Sequence, residues 1–217
     1  MIRNENDRLT ELVFLLDRSG SMAGLTADTI GGFNALIEKQ KREPGQCLVT
    51  TVLFDHEALT LHDRLPLPEI PRMTEKDYSA RGSTALCDAL GDALRHVSDI
   101  HRYIRPEDVP DRTLFVVTTD GMENASHRYS ATDIRRLVAA AGERGWEFLF
   151  LGANIDAVKT AGQYGIRPER AANIRADSRG TRLQFEAVAH AVTCLRADSE
   201  ICDDWAEDLR EDFAKRS

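Results

Sequence analysis

A chain of 217 residues with 42% hydrophobic and 29% charged residues has the composition of an ordinary soluble globular protein, and is long enough to bury a substantial core in one domain. Its 28 Lys and Arg against 36 Asp and Glu leave a formal net charge of -8, which argues against a nucleic-acid-binding surface as its main business. Residues 1–8 are charged and lack the apolar core of a signal peptide, and no later run reaches membrane-spanning length. The expectation is a cytoplasmic protein without a membrane partner. Cys47, Cys87, Cys194 and Cys202 show no close pairing and fall mostly inside apolar segments. Free buried thiols in a reducing compartment are expected, ahead of a zinc site or a disulfide.

In chain order, Leu12-Val13-Phe14-Leu15-Leu16 is an apolar run that stops at Asp17-Arg18-Ser19-Gly20-Ser21, the pattern of a strand buried on both faces in a helix-covered parallel sheet. Residues 24–41 carry Ile30, Phe33, Leu36 and Ile37 on one face and predict a helix, with Thr26 or Asp28 as its cap. The Gly31-Gly32 pair costs that helix about 1 kcal/mol per glycine, which fits close backbone packing and a frayed first turn equally well. Cys47 to Phe54 reads as a strand, and Ala58 to Leu61 as its hairpin partner. The prolines of Leu65 to Pro71 predict a surface connection. A glycine turn at Gly82 precedes a helix reaching about His101, with Thr84 at its N-terminus, where capping is the ordinary role. Thr113 to Thr119 is a second buried strand and also ends on an acid, Asp120. Ser130 or Thr132 caps a helix to Glu143, Trp146 to Leu151 is a strand, and a short helix follows to about Gly165. A weak edge strand at Ala171 to Arg175 and a helix from Thr181 to Arg196 complete residues 1–197. Residues 198–217 form an acidic segment with an apolar stripe of Ile201, Trp205, Leu209 and Phe213, a helix that packs on the domain or docks a partner. The predicted fold is α/β: a doubly wound, mostly parallel sheet with one antiparallel edge strand and helices on both faces.

Ligands of such sheets bind at the carboxyl ends of the strands. Asp17, Ser19 and Ser21 alternate there, and a carboxylate with two hydroxyls is a hard, oxygen-only half-shell suited to Mg²⁺ or Mn²⁺. Asp120 arrives at the same edge on another strand.

Asp17-x-Ser19-x-Ser21, Thr84 in Gly82-Ser83-Thr84 and Asp120 in Thr119-Asp120-Gly121 together resemble the metal-ion-dependent adhesion site (MIDAS) of the von Willebrand factor type A (VWA) family, and the match covers nearly the whole chain. The resemblance implies a Rossmann-like fold in which Ser19, Ser21 and Thr84 coordinate Mg²⁺ and Asp17 and Asp120 hold it directly or through water. It implies an open position that takes a carboxylate from a partner protein. The wording Asp-Arg-Ser-Gly-Ser looks like stand-alone bacterial or phage members, including those similar to tellurium-resistance-associated proteins. Some intracellular members of the family work beside AAA+ ATPases or chelatases, which makes these partner candidates by analogy.

The leading functional expectation is a non-enzymatic, Mg²⁺-dependent protein-interaction module that captures an Asp or Glu of its partner. The alternative is a metal-dependent hydrolase of phosphate esters, for which His56, His62 and His127 are candidate bases. Against it stand the lack of a G-x-S-x-G elbow, a phosphate loop, an H-E-x-x-H pair or a second carboxylate cluster. RNA binding is disfavoured by the acidic balance. Arg18 is expected to pair with a surface carboxylate. Glu207, Asp208 or Glu211 of the tail could occupy the metal's open position.

Overall fold

A computed structural model describes residues 8–198 and 200–216. The sequence reading of the N-terminal segment falls, apart from Arg8, outside these residues. Six strands, β1 (Leu9–Asp17), β2 (Gln46–Phe54), β3 (Ala58–Pro66), β4 (Arg112–Thr119), β5 (Glu147–Ala153) and β6 (Ala171–Ile174), form one sheet in the order β3-β2-β1-β4-β5-β6. All neighbours run parallel except β2 and β3, which pair antiparallel at one edge. The chain leaves β1 towards one side of the sheet and returns on its other side at β4. The β1/β4 boundary is therefore the point where strand order reverses, and a crevice opens there outside the strand ends.

Alternation along β1 builds the two layers. Leu12, Phe14 and Leu16 face α1 (Thr26–Gln40) and α5 (Ser178–Asp198), joined by α6 (Glu207–Lys215). Val13 and Leu15 face α2 (Leu86–Tyr103), α3 (Ala131–Gly142) and α4 (Ala157–Gln163). Because both faces are covered, β1 shows no polar alternation; its residues from Leu12 to Leu16 are all fully buried.

Several local expectations change. A 3-10 turn over Gly20–Leu25 runs straight into α1, whose N-cap is Leu25, so neither Thr26 nor Asp28 caps it. Asp28 instead accepts a hydrogen bond from Ser178 Oγ, 2.7 Å away on α5. Of the paired glycines, Gly32 is the packing residue: a Cβ there would lie 2.2 Å from the Phe185 ring of α5, whereas Gly31 faces open space. Strand β3 runs to Pro66, five residues past the expected hairpin arm. Proline is tolerated there because it ends an edge strand, where the N–H it lacks is least missed. The following connection buries Leu67 and Ile70 and so is not wholly at the surface.

The cysteine expectation is half overturned. Cys47 and Cys87 are free and buried, but Cys194 and Cys202 are joined by a disulfide. Chain reversal after α5 lays residue 202 back over that helix, a proximity that linear spacing does not reveal. With this bond present, cysteine usage no longer argues for a reducing compartment.

The C-terminal helix begins only at Glu207, while Ile201, Trp205 and Leu209 lie in the same core as α1 and α5. The Trp205 indole donates to the Glu169 carbonyl at 3.0 Å. This segment sits beside β6, three strands from β1, and Glu211 pairs with Lys215 at 2.6 Å. The tail carboxylates thus lie away from the β1/β4 crevice. Among the described residues no helix is long and apolar enough to cross a membrane.

Candidate metal centre

Asp17 ends β1 and Asp120 follows β4, two strands paired in register through Leu16 and Thr118. Parallel pairing delivers both carboxylates to one edge, and the hydroxyls fill the space between them. Ser19 Oγ lies 3.1 Å from Ser21 Oγ, and Ser21 Oγ donates to Asp120 Oδ1 at 2.5 Å. A serine hydroxyl that gives its proton to a carboxylate keeps its lone pairs free to face a cation. Asp17 is held from both sides: Oδ1 accepts from the Ser19 amide at 2.7 Å and Oδ2 from the Thr119 hydroxyl at 2.5 Å. Thr84 Oγ1 and Ser21 Oγ both face Gly121, at 3.6 and 3.8 Å from the position a Cβ would take there. A Cβ at Gly121 would thus make ordinary van der Waals contact with both hydroxyls, which places Thr84 and Ser21 side by side over this residue. All the sequence-predicted site residues come together, with Asp17, Ser19, Thr84 and Asp120 buried and Ser21 at the exposed mouth.

Thr84 does not cap α2. The N-cap is Ala85, which makes no side-chain cap bond, so the Thr84 hydroxyl is not committed to the helix end. The free amides of α2 are satisfied across the crevice by the loop after β4. Cys87 N donates to Glu123 Oε2 at 2.7 Å, and Asp88 N to Ser126 Oγ at 3.0 Å. Asn124 adds reciprocal bonds: its Oδ1 accepts from Thr84 N at 2.9 Å, and its own amide donates to the Thr84 carbonyl at 3.0 Å. The loop that carries Asp120 is in this way fastened to the loop that carries Thr84.

A third tie joins the Ser19 loop to the Gly82 turn. Arg81 N donates to the Arg18 carbonyl at 2.7 Å, and Gly20 N to the Gly82 carbonyl at 3.0 Å. Gly82 has φ +66, a left-handed conformation that favours glycine, and a Cβ on it would lie 2.2 Å from His56 Nδ1. Arg18 does not pair at the surface as expected. It is buried and forms an ion pair with Asp55 at 2.9 Å, and Arg81 pairs with the same carboxylate at 2.8 Å. Burial alone would raise the Asp55 pKa, but the Arg81 hydrogen bond, the Glu57 amide and the Arg18 cation more than offset it, and the carboxyl titrates below its ordinary value. Tyr78, also missed in sequence, is fully buried and donates its hydroxyl to the Asp17 carbonyl at 2.5 Å.

Asp17 and Asp120 behave oppositely to Asp55. Burial pushes both above the ordinary carboxylate value, and the hydrogen bonds from Thr119 and Ser19 to Asp17, and from Ser21 to Asp120, only partly counter it. Among the described residues no ion pair joins a cationic side chain to either of them; the buried guanidinium of Arg18, next to Asp17 in the chain, is engaged by Asp55. Two buried carboxylates without a counter-ion, ringed by three hydroxyls, form a donor set fit for a hard divalent cation and unfit for a soft one. Of the histidines considered as bases, His62 lies in the core, hydrogen-bonded to Thr51 Oγ1 at 3.0 Å and stacked on Phe33, while His127 is exposed and His56 pairs with Asp55.

No protein-family model matches the sequence, and no curated protein matches it. Solved structures do match. The von Willebrand factor type A protein from Catenulispora acidiphila aligns with a TM-score of 0.60 at 16% identity over 86% of this chain and 43% of that one. Proximal thread matrix protein 1 from the mussel byssus, solved with a zinc-occupied MIDAS motif, gives 0.59 at 13% identity over 87% of this chain and 46% of that one. The manganese-loaded TRAP protein of Plasmodium vivax gives 0.52 at 18% identity, covering 82% and 72%. This chain spans less than half the length of the first two. Its sheet order, its single antiparallel edge and its two helical layers are those of the VWA fold, a Rossmann-like α/β architecture.

Proposed function

We propose that this protein is a non-enzymatic interaction module that binds Mg²⁺ or Mn²⁺ through Ser19, Ser21 and Thr84, with Asp17 and Asp120 direct or water-bridged, and captures an Asp or Glu side chain of a partner protein. The observation that carries this reading is the convergence of Asp17 and Asp120, both buried and without a cationic partner among the described residues, on the hydroxyls of Ser19, Ser21 and Thr84. The occupied MIDAS of the byssus protein and the manganese of the TRAP protein support it by likeness of fold. With few charges in its first shell, a bound cation stays electrophilic, and an anionic ligand completes both its charge and its coordination. The opening lies on the side of exposed Ser21, and Met122, 73% exposed two residues past Asp120, adds an apolar contact at its rim. Partners without an acidic side chain for the cation would lack the main attraction.

Calorimetric titration of chelator-stripped protein with Mg²⁺ and Mn²⁺, with and without free glutamate, tests this. The expected result is one saturable site, lost in Asp17→Ala, at least tenfold weaker in Thr84→Ala, and tightened by glutamate. A flat titration of folded wild-type protein, or binding unchanged in Asp17→Ala, overturns it.

A further inference from the structure

A second cluster of ligating side chains lies where α5 meets the C-terminal segment, and it shares no residue with the hydroxyl-carboxylate site. His190 and Cys194 are one turn apart on α5 and project from the same helix face. Cys202 is brought back against that turn, with 5.8 Å between the two cysteine Cα atoms. The His190 ring nitrogen and the two sulfurs all lie within 4.8 Å of one another, and Cys202 Sγ to His190 Nε2 is 3.6 Å. A tetrahedral Zn²⁺ with bonds of about 2.3 Å to sulfur and about 2.05 Å to nitrogen requires a sulfur-to-nitrogen edge of about 3.6 Å, and a sulfur-to-sulfur edge of about 3.8 Å. The Cys202-to-His190 edge is already present, and the site closes when the two sulfurs part and Cys194 Sγ, within 4.8 Å of the imidazole nitrogen, takes up the matching edge. The cleft beside His190 is lined by Glu186, Asp204, Glu207 and Asp208, so the local potential favours a cation.

We propose that, once the Cys194–Cys202 bond is reduced, His190, Cys194 and Cys202 form a three-ligand Zn²⁺ site whose fourth position takes water, and that this ion fastens the C-terminal segment to α5 in place of the disulfide. Two thiolates and an imidazole are a soft donor set, chemically opposite to the oxygen-only crevice, so the two sites select different cations. Reduction consumes two thiols of a thiol reductant, which leave as its disulfide, and the two cysteine sulfurs gain the electrons and two protons. Zinc binding then releases those protons, because the thiolate is the ligand. Disulfide and metal exclude each other, since the same sulfur valences serve both. His190 is exposed and the two sulfurs are half-buried, which gives ion and reductant a path.

The test uses the full chain in an Asp17→Ala background, so that no signal depends on the hydroxyl-carboxylate site. Protein reduced with a dithiol and desalted without oxygen is titrated with Co²⁺, followed by Zn²⁺. One equivalent of Co²⁺ is expected to give the sulfur-to-cobalt charge-transfer absorption and the intense visible bands of a tetrahedral ion, and Zn²⁺ is expected to abolish them. Cys194→Ser should weaken binding at least a hundredfold and His190→Ala at least tenfold, while the oxidised protein shows no bands. His190 is exposed, so its variant retains the fold and keeps the test decisive. Absence of the charge-transfer band in reduced protein that keeps its far-ultraviolet circular dichroism overturns the proposal. So does equal binding by wild type and His190→Ala.

Discussion

At the scale of single residues, the electrostatics of the crevice set a pH dependence of definite sign. The folded-state pKa values of Asp17 and Asp120 are raised by burial above the unfolded value, so their contribution to stability is present at low pH and is lost as pH rises through the folded values. Metal-free protein should gain stability when one of these charges is removed. Asp120→Asn, measured by thermal unfolding in chelator, is expected to exceed wild type by a margin that grows from about pH 4 upward, and to lose the response to Mg²⁺. A constant difference across pH would contradict the assignment. Asp55 works the other way, stabilising above the unfolded pKa and failing as pH falls through its lowered folded value, so the comparison is made as a difference between variants. Gly82 yields a second expectation. Alanine there meets both the left-handed backbone penalty and the His56 ring, which Asp55 holds in place at 3.0 Å. Gly82→Ala should cost about 2 kcal/mol in urea denaturation, and adding His56→Ala should recover only the clash and leave about 1 kcal/mol.

Between elements, the couplings run from side chains of one element to the backbone of another. Arg196 near the end of α5 is bonded to the open carbonyls after α1: Gln40 at 2.7 Å, Glu43 at 3.2 Å, Pro44 at 2.9 Å and Gly45 at 3.0 Å, with Gln40 Oε1 at 3.0 Å besides. A guanidinium at a helix C-terminus also complements the helix dipole. Arg196→Ala should cost about 1–2 kcal/mol in chemical denaturation: charge-assisted bonds are lost, but water reaches the exposed Pro44 and Gly45 carbonyls left behind. The Cys194–Cys202 bond, at a sequence separation of 8, closes a short loop. The chain-entropy account gives it about 2.5 kcal/mol. Cys202→Ser should therefore unfold earlier by about that amount, and wild type in reductant and chelator should match it. The Arg196 bonds to the end of α1 leave no trace in periodicity, because they join residues far apart in the chain: 156 positions lie between Arg196 and Gln40, as 36 lie between Cys87 and Glu123 in the crevice.

For the whole molecule, a cation bound only by the folded state stabilises it through mass action. At a Mg²⁺ concentration a hundred times the dissociation constant the gain is about 2.7 kcal/mol, and a domain of this size converts that into a rise in Tm of roughly 5–10 °C. Differential scanning calorimetry of wild type should show this rise, and Asp17→Ala should not. Topology gives the site its rigidity. The Ser19 loop, the Thr84 loop and the Asp120 loop leave β1, the α2 N-terminus and β4, and all three are stitched together by backbone or side-chain bonds across the crevice.

The amino-acid sequence by itself determined the type, order and sheet-edge stations of the main elements, though not the length of β3 or the start of α6. Unbroken apolar runs ending on Asp17 and Asp120 mark strands buried on both faces and place acids at one sheet edge, because local hydrophobic pattern dictates strand burial and parallel crossovers dictate direction. What only the tertiary structure decided is which distant groups meet. Thr119 bonds Asp17 across 102 positions, Glu123 rather than Thr84 serves the start of α2, Arg18 turns inward to Asp55, and Cys202 folds back to Cys194 beside His190. Those meetings follow from loop paths and helix packing, which are global properties of the chain and leave no periodic trace in it.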